Sequence, residues 1–515
     1  MHINTSRRGF LQGLAGASAF AIGGCKCPFG CQKIKLAVVG VMGKGFTDWT
    51  PMLRSGLVEI VAFCDADYRM REKAQLKLIA DGMQLDMSRV PFYTDYRRLL
   101  DDADVLGIEA MTVSTPDHAH APIAITAMKK GIHVFVQKPL VRTLWELDYF
   151  NRTAKEYGVI TQMGNQASSL DTMRRSTEVV QSGILGEVRE VHVWTDRPVW
   201  PQGLGVANFI KNAPKEGDAV PEGLDWNAWL GTAERRPFRA EYPAGMKFYD
   251  PFKIGRNVYH TGTWRGHCDF GAGAFGDMAC HTMNLPFRGL ELGGVSGASL
   301  EVVEERNDIA YPTKSKVKLV YKARESKARP GVTLPEVALY WYDGNIKPPA
   351  SIMPKWAATH NNEVPKTGCY LIGSKGSLLL QDDYGARCAI ALEGDKQFAS
   401  VFEHEAAKAV PRSIPFRTDS AEATGGKSIE MKGFAEGHYV EFLQAIRGEG
   451  PVYAQTHSRC FSDVEYAVPQ MEGILVGCVA QRVGGVLKWD SAAQTFDRAD
   501  ANALVRPFIR KGFEF

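Results

Sequence analysis

Asp277 and His281 stand four residues apart, a spacing that puts both side chains on one face wherever the stretch is helical. There a carboxylate can orient an imidazole and raise its basicity. That makes His281 a candidate general base, with Asp277 as its partner or as a ligand of the substrate. A cation stands elsewhere, in Gln137-Lys138-Pro139, at the end of the apolar run His133 to Val136. Pro139 fixes the strand end that aims Lys138, and an X-Pro bond there admits the cis form. Both motifs also have ordinary uses, as a solvent-facing pair and as a strand terminus. A zinc site at Asp277 and His281 lacks a third ligand, so no metal is expected.

A glycine-rich turn, Gly40-Val41-Met42-Gly43-Lys44-Gly45, directly follows the apolar run Lys35 to Val39. Such a turn between strand and helix lets backbone N–H groups approach a pyrophosphate, and the helix N-terminus adds a favourable dipole. With 51 glycines in the chain, the pattern is weak by itself. Its context strengthens it, because a second run, Val58 to Phe63, ends at Cys64-Asp65. An Asp there accepts hydrogen bonds from both ribose hydroxyls and repels a 2′-phosphate, which favours NAD over NADP. The alternative for Asp65 is a carboxylate that caps a turn.

These residues need a scaffold. Ala110 to Ser114 joins the three runs above to make four buried, non-alternating strands, and Tyr68 to Ile79 and Pro122 to Lys130 read as helices between them. That pattern predicts a parallel, doubly wound sheet, an α/β Rossmann domain at residues 33–160. In residues 161–515 the texture changes. Glu187 to Thr195, Gly297 to Glu305, Lys316 to Ala323 and Glu336 to Tyr342 alternate with period two. They predict an α+β domain with a large, mainly antiparallel sheet, which would present the substrate. Pro201 to His260 reads as loops around a site, while Gly437 to Arg447 and Ser462 to Val483 read as C-terminal helices. Trp194, Trp200, Trp226, Trp229 and Trp264 lie in Gly/Pro-rich stretches, where they stack on sugar rings or fill a core. A formal charge of +3 with no basic stripe excludes nucleic acid as a partner.

Residues 1–32 are set apart. Ser6-Arg7-Arg8-Gly9-Phe10-Leu11 precedes an apolar run, Leu14 to Gly24, too short to span a membrane. The paired arginines predict twin-arginine export, which carries folded proteins to the periplasm. Ile22-Gly23-Gly24-Cys25 resembles a lipobox, so Cys25 is either a lipidated membrane anchor or an unremarkable residue of a discarded signal. Cys27 and Cys31 have no partner cluster at zinc spacing, and the other seven cysteines read as small buried residues.

The third strand ends in Ser114-Thr115-Pro116-Asp117-His118-Ala119-His120 and the fourth in Gln137-Lys138-Pro139-Leu140. Further on come Gly164-Asn165-Gln166, Trp194 to Gln202, Leu224-Asp225-Trp226 and Gly276-Asp277-Met278-Ala279-Cys280-His281. With the glycine turn, this ordered series resembles the oxidoreductase family named for glucose–fructose oxidoreductase, inositol dehydrogenase and a rhizopine-catabolism protein (Gfo/Idh/MocA). The resemblance implies an NAD(P)-dependent oxidoreductase acting on a hydroxyl of a sugar or related polyol, and a homo-oligomer. It places Lys138 beside the nicotinamide, polarising the substrate oxygen, and His281 near the substrate hydroxyl as general base. It assigns the cofactor to Gly40, Met42, Gly43, Gly45, Asp65, Ser114, Thr115, Pro116, His120, Gln137, Lys138 and Gln166. The substrate falls to Asn165, Trp200, Trp264, Arg265 and His281. At His118 and His120, a contact to the nicotinamide ribose stands beside a plain helix start capped by Asp117. Two positions depart from the family. Met42 stands where Gly is common, so the loop passes the pyrophosphate differently. Gln137 stands where Glu is frequent, which drops a charge beside Lys138 and predicts a less strongly held cation.

Export adds a constraint. No soluble NAD pool exists outside the cytoplasm, so the cofactor is expected to travel tightly bound and to be reset within each turnover. One reading is an oxidoreductase that oxidises one sugar hydroxyl and reduces a second carbonyl substrate. Another is an NAD-dependent glycosidase working by transient C3 oxidation and elimination, although such relatives usually depart from Lys-Pro. A third is a non-catalytic carbohydrate-binding lipoprotein.

Overall fold

The computed structural model describes residues 33–246, 255–303, 306–353, 355–356, 360–361, 363–417, 436–454 and 456–515. The expected export signal and lipobox, with Cys25, Cys27 and Cys31, lie outside the described residues. Residues 34–515 form one compact unit.

Six parallel strands make the N-terminal sheet: β1 (Ile34–Val39), β2 (Val58–Cys64), β3 (Phe92–Tyr93), β4 (Ala110–Val113), β5 (His133–Val136) and β6 (Thr161–Met163). Their order is β3-β2-β1-β4-β5-β6, the doubly wound arrangement with helices on both faces. Four of the six match the apolar runs of the sequence. The other two, β3 and β6, are two and three residues long, too short to show a pattern. The helix expected from Pro122 begins earlier, at Asp117, and carries Pro122 inside it. At the β1/β4 junction the chain reverses its direction of winding, which opens a crevice beyond the strand ends.

Among the described residues the second sheet has ten strands. They are β7 (Val188–Trp194), β8 (Val295–Val303), β9 (Ser315–Tyr321), β12 (Val337–Tyr342), β13 (Gly368–Gly373), β14 (Gly376–Leu380), β15 (Cys388–Leu392), β16 (Ala399–Ser400), β17 (Val486–Asp490) and β18 (Thr495–Phe496). A ribbon of β10 (Arg324–Glu325) and β11 (Thr333–Leu334) stands apart. The β7–β12 pair is parallel and the remaining pairs are antiparallel. On β9 every second residue is buried, so one face carries the core. The helix Val464–Val483 packs on that face against β8 and β9, and against the helix Gly273–Thr282. Phe275 on the latter stacks on Trp341 with ring centroids 4.6 Å apart. This contact anchors the helix that carries Asp277 and His281 to the sheet. All seven described cysteines are buried and free.

Phe275→Ala removes that stack and leaves a cavity. Its expected cost is about 3–5 kcal/mol, read as a lowered denaturation midpoint by circular dichroism.

Candidate active site

At the end of β1 the backbone comes very close to the end of β4. Gly40 has φ +84°, and a Cβ on it would overlap the Ser114 carbonyl. A Cβ on Gly45 would in turn overlap the Gly40 carbonyl. Gly43 (φ +62°) has open space around it and precedes the helix Lys44–Arg54, whose N-terminus has no side-chain cap. An uncapped helix start with a bare glycine suits a pyrophosphate. Asp65 at the end of β2 accepts from Val41 N–H (3.0 Å) and Asp67 N–H (3.1 Å). It therefore does cap a turn, yet each carboxylate oxygen keeps a second lone pair for a ribose hydroxyl. Burial raises its pKa, and those two N–H groups oppose the rise.

Beside it, Asp67 accepts from Arg69 at 2.7 and 2.6 Å and from His260 Nε2 at 3.0 Å. Burial works against the Asp67 anion, but His260 and Arg69 outweigh it and hold the pKa far below the usual range. A backbone bridge pairs Asp67 with Leu224, and Asp225 N–H donates to Ala66 O at 2.8 Å. The loop region of the second half is thus fastened to the turn after β2.

These parts open onto one cavity of about 690 Å³. Gly40, Met42, Gly43 and Asp65 line it at the β1–β2 end, and Ser114, Thr115, Pro116, Gln137 and Gln166 line it at the β4–β6 end. Lys138, Trp200, Trp264, Arg265, Asp277 and His281 line the remainder. Three expected residues are not on the wall: Gly45, His120 and Asn165. Gly45 serves the close turn. Asn165 is buried and donates to the Tyr466 hydroxyl at 3.4 Å. His120 lies between the Pro139 carbonyl (2.8 Å from Nδ1) and the Thr115 carbonyl (2.9 Å from Nε2), its neutral ring donating to one of the two, and it is not on the cleft wall. His118 likewise faces the Trp229 carbonyl at 3.0 Å. Burial lowers these pKa values to about 4 for His120 and about 3 for His118. Asp117 is not the helix cap, since it is the first helical residue and its carboxylate accepts from Ala272 N–H at 3.1 Å. Trp194, Trp226 and Trp229 pack within core clusters, so core filling accounts for much of the aromatic content.

The Lys138–Pro139 peptide is cis. Lys138 Nζ donates to Asp277 Oδ1 at 2.8 Å and to the Asp277 carbonyl at 3.0 Å. Arg265 Nε donates to the same Oδ1 at 3.2 Å, its guanidinium lying 4.4 Å from the Trp264 ring centre. The expected alliance of Asp277 with His281 is therefore replaced by one with two cations. The two side chains share a helix face, but Lys138 and Arg265 approach from other elements and take the carboxylate. Burial disfavours the Asp277 anion, and Lys138 and Arg265 more than compensate, holding its pKa far below normal. His281 Nδ1 is buried without a hydrogen-bond partner, and the ring meets Tyr384 edge-on at 4.8 Å. Burial first, and then the charge of Lys138, push the His281 pKa well below its usual value, so the ring is neutral.

Several site residues carried no readable signal. Tyr384 and Asp383 sit in the turn between β14 and β15, where Asp383 lies 3.5 Å from Arg197. Asp48, four residues after Lys44, is fully buried beneath the glycine turn. Only its i, i+4 spacing from Lys44 hints at a role.

Residues 34–165 match the family described as "Oxidoreductase family, NAD-binding Rossmann fold" (GFO_IDH_MocA). Over these residues the chain is similar to that family's NAD-binding domain. The 2,7-anhydro-N-acetylneuraminate hydratase of Mediterraneibacter gnavus is 29% identical over 139 residues, 27% of this chain and 34% of that protein. Glycosyl hydrolase family 109 protein 1 of a Shewanella species is 27% identical over 161 residues, 30% of this chain and 34% of that protein. The chain thus spans about a third of the length of these relatives. An inositol dehydrogenase homologue from Azotobacter vinelandii, solved with NADH and myo-inositol, superposes with a TM-score of 0.55 at 17% identity. It covers 89% of this chain and 98% of its own, so the fold is shared across both sheets.

One pH effect follows from Asp117. Burial, with Asp277 nearby, pushes its pKa up to about 8 despite the opposing charge of Arg265. In the unfolded chain an Asp titrates near about 3.9. The folded state therefore keeps a proton that the unfolded state loses, and this contribution to stability disappears as pH rises from about 4 through 8. Urea midpoints of the ligand-free protein should fall over that range relative to Asp117→Asn, and parallel curves would contradict it.

Proposed function

We propose that the protein is an NAD-dependent oxidoreductase acting on a hydroxyl of a sugar or related polyol, with the dinucleotide held tightly and reset in each turnover. The observation that carries this reading is the cleft wall on which Lys138, Asp277 and neutral His281 stand together, continuous with the glycine turn. The residues present suit a dinucleotide: the glycine turn and uncapped helix for its pyrophosphate, and Asp65 for its ribose. When bound, the nicotinamide supplies the hydride acceptor. His281 is unprotonated and takes the hydroxyl proton of the substrate. Lys138 stabilises negative charge growing on that oxygen. Asp277 holds the ammonium in place, in a role distinct from the base partnership expected from spacing. Tight holding of the cofactor is supported by the fastening of Asp67 to Leu224 and His260 beside the cleft.

A second reading is favoured by the names of two relatives, a hydratase and a glycosyl hydrolase. In a glycosidase that oxidises C3 transiently, the C2 proton also has to move, and Tyr384, edge-on to His281 on the cleft wall, is a second group that can carry a proton. Export by the twin-arginine route, anchoring through Cys25 and homo-oligomerisation belong to the same proposal. Its support for export is the run from Ser6 to Cys25.

The exported full-length protein should release NAD on denaturation and convert sugars without added cofactor. A keto-sugar formed with an acceptor supports the oxidoreductase, release of a reducing sugar supports the glycosidase, and failure to bind NAD removes both. Lys138→Ala and His281→Ala should each lower turnover by about 10²-fold or more while NAD is retained. Wild-type rates in either would remove that residue's role. The mass of the mature N-terminus should begin at Cys25 with diacylglyceryl and acyl groups if the lipobox is used, and an unmodified start would exclude the anchor.

A further inference from the structure

Asp48 has no exposed surface, although it is a carboxylate on the first helix after the glycine turn. A buried charge is tolerated only where donors replace its water. Four donors do so. Oδ1 accepts from Lys44 Nζ at 2.5 Å and from the Tyr439 hydroxyl at 2.7 Å. Oδ2 accepts from Ser114 Oγ at 2.8 Å and from Gln137 Nε2 at 2.9 Å. One carboxylate thereby joins the glycine turn, the ends of the neighbouring strands β4 and β5, and the helix Glu436–Ile446 from the far end of the chain.

The contact to Gln137 decides an orientation. An acceptor at Asp48 requires the amide nitrogen of Gln137 to face it, so Oε1 is turned the other way. There it accepts the backbone N–H of Lys138 at 3.2 Å. The amide lies flat against Gly164, where a Cβ would overlap its nitrogen. Thus the side chain of residue 137 is clamped between Gly164 and Asp48, and its outer oxygen holds the backbone of the lysine that pairs with Asp277.

We propose that Asp48 is a positioning residue for Lys138 and for the glycine turn, and that its charge acts through the Gln137 amide in place of a carboxylate at position 137. This rests on the reading of Lys138 given above. The negative charge that Gln137 lacks is not lost from the site. It stands one hydrogen bond further back, on the helix, where it also holds Lys44 and Ser114. A charge transposed in this way predicts that position 48 and position 137 tolerate one carboxylate between them, on either side of the same hydrogen bond. Zero leaves donors facing donors, and two bring anions together.

The test uses the full-length protein in three variants, Asp48→Asn, Gln137→Glu and the double variant, with folding checked by near-UV circular dichroism. Asp48→Asn should lower kcat at least ten-fold with KM for the sugar changed less than three-fold. Gln137→Glu, which sets two carboxylates against each other, should also lose at least ten-fold. The double variant should recover to within about three-fold of wild type, because its carboxylate at position 137 accepts from the new amide at position 48 and from the Lys138 N–H. A purely structural Asp48 would give no such rescue. The proposal is overturned by a folded Asp48→Asn with wild-type kcat, by Gln137→Glu at or above wild type, or by a double variant no better than its worse parent. Should Asp48→Asn fail to fold, the comparison of Gln137→Glu with the double variant still decides. NADH affinity, from fluorescence titration of cofactor-stripped protein, should follow the same order in the absence of any sugar. Where wild type binds NADH but turns over no sugar, the functional reading fails while this ordering still stands or falls. A wild type that binds no NADH overturns both.

Discussion

The ammonium of Lys138 leaves the end of one sheet and meets a carboxylate on a helix that packs on the other, both side chains being only 12% and 11% exposed. Removing one member of a buried pair costs about 3–5 kcal/mol, because the other is left charged and unsolvated. Without the second half in register Lys138 loses its carboxylate, whereas Asp277 keeps Arg265 at 3.2 Å. Burial, with the charges of the pair and of Arg265 beside it, sets the electrical state of this wall. Asp277 stays ionised against burial, His281 stays neutral because burial and the lysine charge act together, and Asp117 keeps its proton to about pH 8. Three titratable groups on one wall thus occupy three different states, the condition under which one can act as base while another holds a cation.

That arrangement depends on how closely the backbone strands approach at the switch point. The β1–β4 junction leaves no room for a side chain at Gly40, and the helix that follows begins bare. The same helix carries Asp48 inward, so the turn that suits a pyrophosphate and the strand end that aims Lys138 share one buried anchor. On the opposite side, the loops between β7 and β8 reach back to the turn after β2 through Leu224 and His260. The cleft is therefore walled by both halves, and the N-terminal sheet's end of it is completed by residues more than a hundred positions away.

Much of this was legible without coordinates. Apolar runs without alternation identify β1, β2, β4 and β5, since strands buried on both faces need no polar side. The strands β3 and β6 escape because two or three residues carry no period. The glycine turn, Asp65 and the strand-end motifs are local features, and local spacing finds them. His120 reads as a cofactor contact for the same local reason, yet it faces two backbone carbonyls because Pro139 and Thr115 converge on it.

Spacing along a helix sets the direction of a side chain about its own axis, so the sequence alone put Asp277 and His281 on one face. It could not say what stands opposite. Lys138 is 139 positions from Asp277, and Tyr439 is 391 from Asp48. Only the packing of separate elements brings such pairs within hydrogen-bonding distance, and a carboxylate with a choice of partners binds the buried cation, not the neutral ring nearest to it in the chain. Which elements exist was written in periodicity and glycine placement. Which charges meet, and hence which group is ionised and which stays neutral, was decided by the tertiary fold.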